Sequence, residues 1–305
     1  MASGNESTAP AGSTARAYAL LIATALFWGA NAIFGKLAIG EISPMALVAL
    51  RWLGASLLLA LIAHNQLRRE WPLLRPRLPF LSAMGMLGFT AFNALFYVAA
   101  YHTTAVNIGI IQGAMPIFVL IGVYIAYRTR VTLLQVAGAL ATLTGVVIVG
   151  SGGDLARLAA LAVNLGDAMM VAACVLYAGY TVGLRTRPQV SPLSLLAVLA
   201  GAAVLTSVPL VLIEAALGRF QFPTATGWAI AGAVTLLPSF LAQLFFIQGV
   251  TLIGPGRAGV FINLVPVFAS VLAVVFLKEP FEAFHALALG LVLGGIWLSE
   301  RGRAG

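Results

Sequence analysis

Apolar residues run through this chain in blocks of about 20, each closed by a short cluster of Gly, Pro or charge. The blocks show none of the two-residue alternation of barrel strands. They predict ten spanning helices, at roughly 17–35, 44–64, 79–100, 105–127, 131–150, 164–184, 192–215, 226–250, 257–277 and 281–299. Gly40 to Pro44, Pro72 to Pro79, Arg128 to Arg130, Gly150 to Asp154, Arg185 to Pro188, Gly218 to Pro223, Gly254 to Gly256 and Lys278 to Pro280 separate them, with only Tyr101 to Thr104 between the third and fourth. In hydrocarbon a backbone must satisfy its own N–H and C=O groups, so continuous blocks mean helices. The expected fold class is therefore all-α and integral to the membrane. Residues 1–15, rich in Ser, Thr, Ala and Gly, are expected to form a disordered tail. The first block follows without a cleavage site and is expected to be retained as a helix.

Composition agrees with a bilayer as solvent. Of 305 residues 61% are hydrophobic and 9% charged, against about 25% charged in a soluble domain. The net charge of +8 does not mark a nucleic-acid partner, because the cations sit singly or in pairs between apolar blocks. With the N-terminus inside, Arg16, Arg68, Arg69, Arg75, Arg77, Arg128, Arg130, Arg185, Arg187, Arg257, Arg301 and Arg303 fall inside. Lys36, Arg157, Arg219 and Lys278 fall outside, and Arg51 lies within a span. This asymmetry puts both termini in the cytoplasm and calls for an even number of spans. Cys174 is alone inside an apolar block, so no disulfide framework exists.

The two halves of the chain resemble each other. At an offset of 150, Asn93 meets Gln243, Phe96 meets Phe246, Gly109 meets Gly259, Pro116 meets Pro266, Phe118 meets Phe268, Arg128 meets Lys278 and Gly145 meets Gly295. At 148, Ser43-Pro44 meets Ser191-Pro192. Chance similarity would not favour Pro, Gly and polar positions. The expected organisation is a first five-helix repeat at 16–150 and a second at 151–300. Five is odd, so the second repeat inserts upside down. Inverted repeats belong to secondary transporters, which bind substrate near the midplane between them.

Several motifs resemble those of EamA-type members of the drug/metabolite transporter superfamily. They are Phe27-Trp28-Gly29-Ala30-Asn31 with Lys36-Leu37-Ala38; Ser43-Pro44 with Leu50-Arg51-Trp52; Ala114-Met115-Pro116; Leu264-Val265-Pro266; and Leu277-Lys278-Glu279-Pro280 followed by Gly290, Gly294 and Gly295. The resemblance covers nearly all of 17–299. It implies ten helices, two inverted repeats and export of metabolites. Within the family the chain is most similar to YddG-type aromatic amino-acid exporters. It departs from the small multidrug exporters, whose first helix carries a glutamate: positions 17–35 hold no acid.

Polar side chains at membrane depth are costly unless they face protein or a wet cavity. Asn31, Asn93, Gln112, Gln243 and Asn263 are candidates for lining a substrate site, or for tying helices together. Trp28, Phe96, Tyr97, Tyr177 and Tyr180 are candidates for stacking on a flat substrate, or for filling gaps and facing lipid. Trp28 and Tyr177 hold comparable places in the two halves, and Asn93 and Tyr97 share a helix face. His102, at the outer end of the third span, suits gating or proton sensing, or an interfacial anchor. Arg51 suits a substrate carboxylate, or a brace against Asp167 or Glu41. His285 stands near Glu282 for a stabilising contact. Pro116, Pro238 and Pro266 fall within helices, as hinges or static bends. Gly290 and Gly294 permit close helix contact, within the chain or in a dimer.

Gly29 and Gly35-Lys36 miss a phosphate-binding loop by spacing and by Leu37, the histidines are too scattered for a metal site, and no nucleophile pairs with a base. The sequence therefore predicts no enzyme and no cofactor. It predicts a secondary transporter in a bacterial cytoplasmic membrane, exporting small metabolites such as aromatic or large apolar amino acids. The alternatives are a nucleotide-sugar or sugar-phosphate carrier, and a channel or non-transporting membrane subunit. Its partners would be substrate and lipid, with the chain acting as a monomer or dimer.

Overall fold

The computed structural model describes residues 11–128, 131–154, 164–253, 258 and 260–302. Positions 1–10 of the expected tail, and Arg130, Arg157, Arg257 and Arg303, lie outside them. Among the described residues every regular element is helical. In chain order these are α1 (Ala11–Leu37), α2 (Pro44–Leu74), α3 (Leu78–Gly85), α4 (Phe92–Ala99), α5 (Ala105–Gly113), α6 (Met115–Tyr127), α7 (Leu133–Gly150), α8 (Leu165–Gly183), α9 (Pro192–Ala216), α10 (Ala225–Val234), α11 (Ala242–Ile253), α12 (Val265–Leu272) and α13 (Ala283–Arg301). Helix α1 begins within the segment expected as tail, since extending a formed helix is cheaper than starting one.

Seven helical runs among the described residues are long and apolar enough to cross a bilayer, and Leu133–Val149 and Phe261–Leu277 are shorter apolar helices. One of the seven, Pro44–Ala99, has 56 residues. Straight, it would reach about 84 Å at about 1.5 Å per residue, far beyond a hydrocarbon core of about 30 Å. It doubles back instead: the Arg51 guanidinium on α2 bonds to Asn93 and Tyr97 on α4. The reversal falls at Arg75–Arg77, where Arg77 leaves helical geometry at φ −105, ψ 7. Pro76 and Pro79 lie in the first turns there, where no backbone N–H is required. Helix α2 runs past its expected end near 64, through the good helix formers Gln66 to Glu70, and continues past Pro72 to Leu74.

Structural features recur at the sequence offset of 150. Arg128 (φ 51) and Lys278 (φ 57) are the positive-φ non-glycine residues among those described. A Thr132–Gln135 capping box opens α7, and a Glu282–His285 box opens α13. Pro116 and Pro266 both lie in the first turn of a helix, α6 and α12. π-helical turns at Met86–Ala91 and Thr235–Leu241 nearly match under the offset, while a third, at Ala273–Leu277, has no counterpart in the first half.

Corresponding helices pack against each other. A Cβ added to Gly138 on α7 would strike the Gly295 carbonyl on α13, and one added to Gly145 would meet the Ala288 carbonyl at 2.8 Å. Those two contacts exchange under the 150-residue offset, and numbers rise on one helix as they fall on the other. Helices α7 and α13 are therefore antiparallel. So are α2 and α9. Glu214, near the end of α9, accepts from the Met45 N–H at 3.2 Å, and Glu70, near the end of α2, accepts from the Ser191 N–H at 3.1 Å. Each helix thus supplies a carboxylate to the start of the other.

One expectation needs correction. Gly290 and Gly294 have open space at the Cβ position, so that pair does not pack within the chain; Gly295, one residue on, does. Pro116 and Pro238 fall within the helical runs Ala105–Tyr127 and Ala225–Ile253, as expected. Pro116 and Pro266 start helices, and Pro238 lies in the π-helical turn Thr235–Leu241.

Candidate functional site

Proline at 238 has no N–H, which deprives the Val234 carbonyl of its helical donor. The Ser239 hydroxyl supplies one, donating to Val234 O at 2.8 Å. This fixes Ser239 Oγ in the interior, where it accepts from Arg51 Nε at 3.0 Å and Nη2 at 2.7 Å. Arg51 Nη1 donates to Tyr97 Oη at 2.5 Å, Asn93 Oδ1 at 2.6 Å and Asn31 Oδ1 at 3.4 Å. Tyr97 donates onward to Asn31 Oδ1 at 3.0 Å. The π-helical turn Met86–Ala91 orients Asn93, whose amide donates to Phe89 O at 2.5 Å. One guanidinium thus joins α1, α2 and α4 to the turn between α10 and α11.

Arg51 is 4% exposed and is the buried Lys or Arg among the described residues. A charge at the centre of a span costs about 2.5–3.5 kcal/mol on insertion scales. All its hydrogen-bond partners are neutral. Neither expected acid braces it: Asp167 accepts from Thr103 Oγ1 at 2.5 Å and Asn107 Nδ2 at 3.2 Å, and Glu41 is bonded to Thr224. The hub is a net cation held by dipoles, an arrangement suited to an anionic ligand group.

Aromatic rings lead away from it. The Arg51 guanidinium lies 5.2 Å from the Trp52 ring centre, and Trp52 stacks on Phe89 at 4.3 Å. Phe89 meets Tyr180 at 5.5 Å, Tyr180 meets Tyr177 at 5.2 Å, and Tyr177 meets Phe92 at 5.2 Å. Phe92 meets Phe96, which packs edge-on to Tyr97 at 5.3 Å. The run returns to the hub.

The structure brings together Asn31, Asn93, Phe96, Tyr97, Tyr177 and Tyr180 of the residues singled out in the sequence. Trp28 stands beside them, its indole donating to Pro238 O at 3.2 Å and its ring 5.5 Å from Phe246. Gln112, Gln243 and Asn263 are half-buried, and their side chains make no hydrogen bond among the described residues. His102 is exposed in the turn after α4, away from the hub. Asn93 and Gln243, matched by the offset, do not meet. Sequence reasoning missed Ser239; its one signal was a hydroxyl beside a mid-block proline. It also missed a second buried group, in which Asn107 joins Asp167 to His285, its Oδ1 facing His285 Nε2 at 3.2 Å. His285 Nδ1 accepts from the Glu282 N–H at 2.9 Å, the contact with Glu282 that the sequence suggested.

Comparison with known proteins bears on this architecture. The model of the EamA-like transporter family matches the chain twice, over residues 15–151 and 164–301. The chain belongs to the EamA-like transporter family. It is a multi-pass membrane protein of the drug/metabolite transporter superfamily. This EamA-like chain is 26% identical to the uncharacterized transporter YetK of Bacillus subtilis (strain 168), covering 93% of this chain and 86% of that one. It is 27% identical to the uncharacterized transporter YyaM of the same organism, covering 92% of both. It is also 26% identical to an uncharacterized transporter of Archaeoglobus fulgidus, covering 93% of this chain and 98% of its relative. A crystal structure at 20% identity matches with a TM-score of 0.63 over 93% of this chain and 96% of that one, a likeness of fold. The relatives are named as transporters, and this EamA-like chain is one.

Proposed function

We propose that the chain is a ten-span secondary transporter of two oppositely oriented five-helix halves, exporting aromatic or large apolar amino acids by alternating access. Both termini lie in the cytoplasm of a bacterial cell, and the substrate site is at the Arg51 hub. The observation that carries this is a buried guanidinium with neutral partners beside a continuous aromatic wall. The substrate carboxylate takes the cation, and its side chain lies on the rings around Tyr177 and Tyr180. Antiparallel packing of α7 with α13 and of α2 with α9 supports the opposed halves. The helix breaks at Pro116, Pro238 and Pro266 serve as hinges, and the Arg51–Ser239 bonds link the halves and must part when the molecule changes face. A sugar-phosphate carrier calls for several cations at depth, whereas Arg51 stands alone among the described residues.

Reconstituted protein tests this. Liposomes preloaded with phenylalanine are expected to take up labelled phenylalanine saturably and faster than unloaded ones, with or without a pH gradient. Flux equal to that of empty vesicles in every condition removes the amino-acid reading. Saturable flux without trans-stimulation removes the alternating-access carrier.

A further inference from the structure

Away from the hub, a cavity of about 710 Å³ lies between the start of α2, the end of α4 and the end of α9. Glu214 lines it and is 8% exposed. Its Oε1 accepts from the Met45 N–H at 3.2 Å, while its Oε2 is buried with no hydrogen-bond partner. A buried carboxylate oxygen left without a donor is costly, and few native polar groups are left so. That oxygen is sealed from the cavity, but the Glu214 side chain lines the space and brings its negative charge to the wall. Arg219, also on the wall, is exposed, and its guanidinium bonds to nothing among the described residues. The remaining wall is mainly apolar. Ile213 and Leu217 are 56% and 63% exposed, at the end of an apolar helix where lipid is the surrounding solvent. Partial burial, and the Glu214 carboxylate nearby, hold the Tyr101 phenol on the same wall above its ordinary range.

We propose that this cavity binds a zwitterion carrying a primary ammonium group, with the ammonium on the Glu214 carboxylate and the anionic group on Arg219. An ammonium has N–H donors for a carboxylate; a trimethylammonium has none. The apolar wall takes the body of the ligand. Two molecules share this chemistry: an ethanolamine phospholipid seated from the membrane, and a free amino acid. The site is separate from the Arg51 hub and stands on its own geometry.

Direct binding to the full chain in phosphatidylcholine nanodiscs decides it, without recourse to transport. The probes are dioctanoyl phosphatidylethanolamine, dioctanoyl phosphatidylcholine and phenylalanine, followed by native mass spectrometry. The expected result is saturable binding of the ethanolamine lipid or of phenylalanine, with the choline lipid much weaker. Glu214→Gln and Arg219→Gln are each expected to weaken it at least about tenfold, the loss of a charge-assisted hydrogen bond. Lipid binding alone names the membrane as the source, and phenylalanine alone names the soluble metabolite. Phenylalanine held at the Arg51 hub keeps its affinity in both variants, so only a component lost with Glu214 or Arg219 belongs here. Equal binding of the choline and ethanolamine lipids, no binding of either ammonium probe, or affinities unchanged in both variants overturns the proposal. Should Glu214→Gln fail to fold, the exposed Arg219 and the two lipids on the unaltered chain still decide.

Discussion

A guanidinium fork can bond to several acceptors at once, which a single ammonium cannot do with the same geometry. Arg51 uses that property, reaching Ser239 with two nitrogens and Asn93 and Tyr97 with the third. Arg51→Lys keeps the charge but loses the span, and phenylalanine flux is expected to fall at least about tenfold while the protein still reaches the membrane. Ser239→Ala strips two bonds from a buried cation and removes the hydroxyl's own bond to Val234 O. It is expected to cost about 1.5–3 kcal/mol, read as a lower midpoint in denaturant unfolding. Trp28→Ala and Tyr97→Ala are expected to change the ranking of competing amino acids in a flux assay more than protein abundance. An unaltered ranking takes those residues out of the substrate site. Asn31, Asn93 and Tyr97 were legible in the sequence because amides and a phenol are conspicuous in an apolar block. Ser239 was not, because serine is ordinary in membrane helices and its partner is 188 residues away. Nor was the absence of an acid beside Arg51, which depends on where the helices place Asp167 and Glu41.

Helix contacts in lipid are made by close approach of small residues, since lipid is as apolar as leucine and supplies no drive to exclude it. The α7–α13 contact shows how finely this depends on helix face. Gly295 meets Thr142 and Gly138 O, while Gly290 and Gly294 look onto open space. Adjacent residues on a helix differ by about 100° in direction, enough to turn the G-x-x-x-G motif away from the contact. Gly295→Leu is therefore expected to destabilise the fold by about 1–3 kcal/mol or more. Gly290→Leu is expected to change monomer stability by less than about 0.5 kcal/mol. Denaturant unfolding of the two variants checks this, and light scattering shows whether Gly290 serves a contact between copies. The existence of helices and their punctuation were readable from hydropathy. Their facing directions, the length of α2 and the π-helical turns were not, because these are set by tertiary partners such as Ser191 and Arg51.

The internal duplication was the most legible feature at long range, because proline, glycine and basic residues recur where unusual backbone recurs. Arg128 and Lys278 illustrate it: matched in sequence, they adopt the same left-handed conformation. With opposed halves they lie on opposite sides of the membrane. Cysteines placed singly at 128 and 278 are expected to react with an impermeant reagent from opposite faces, and labelling of both from one face removes the opposed orientation of the halves. Reciprocal capping of α2 by Glu214 and of α9 by Glu70 carries a consequence for biogenesis. A nascent chain arrested near residue 150 would already hold α2, yet the carboxylate that closes its N-terminal end would not have left the ribosome. Insertion of the early helices is thus provisional, and their final seating awaits the arrival of segments synthesised much later.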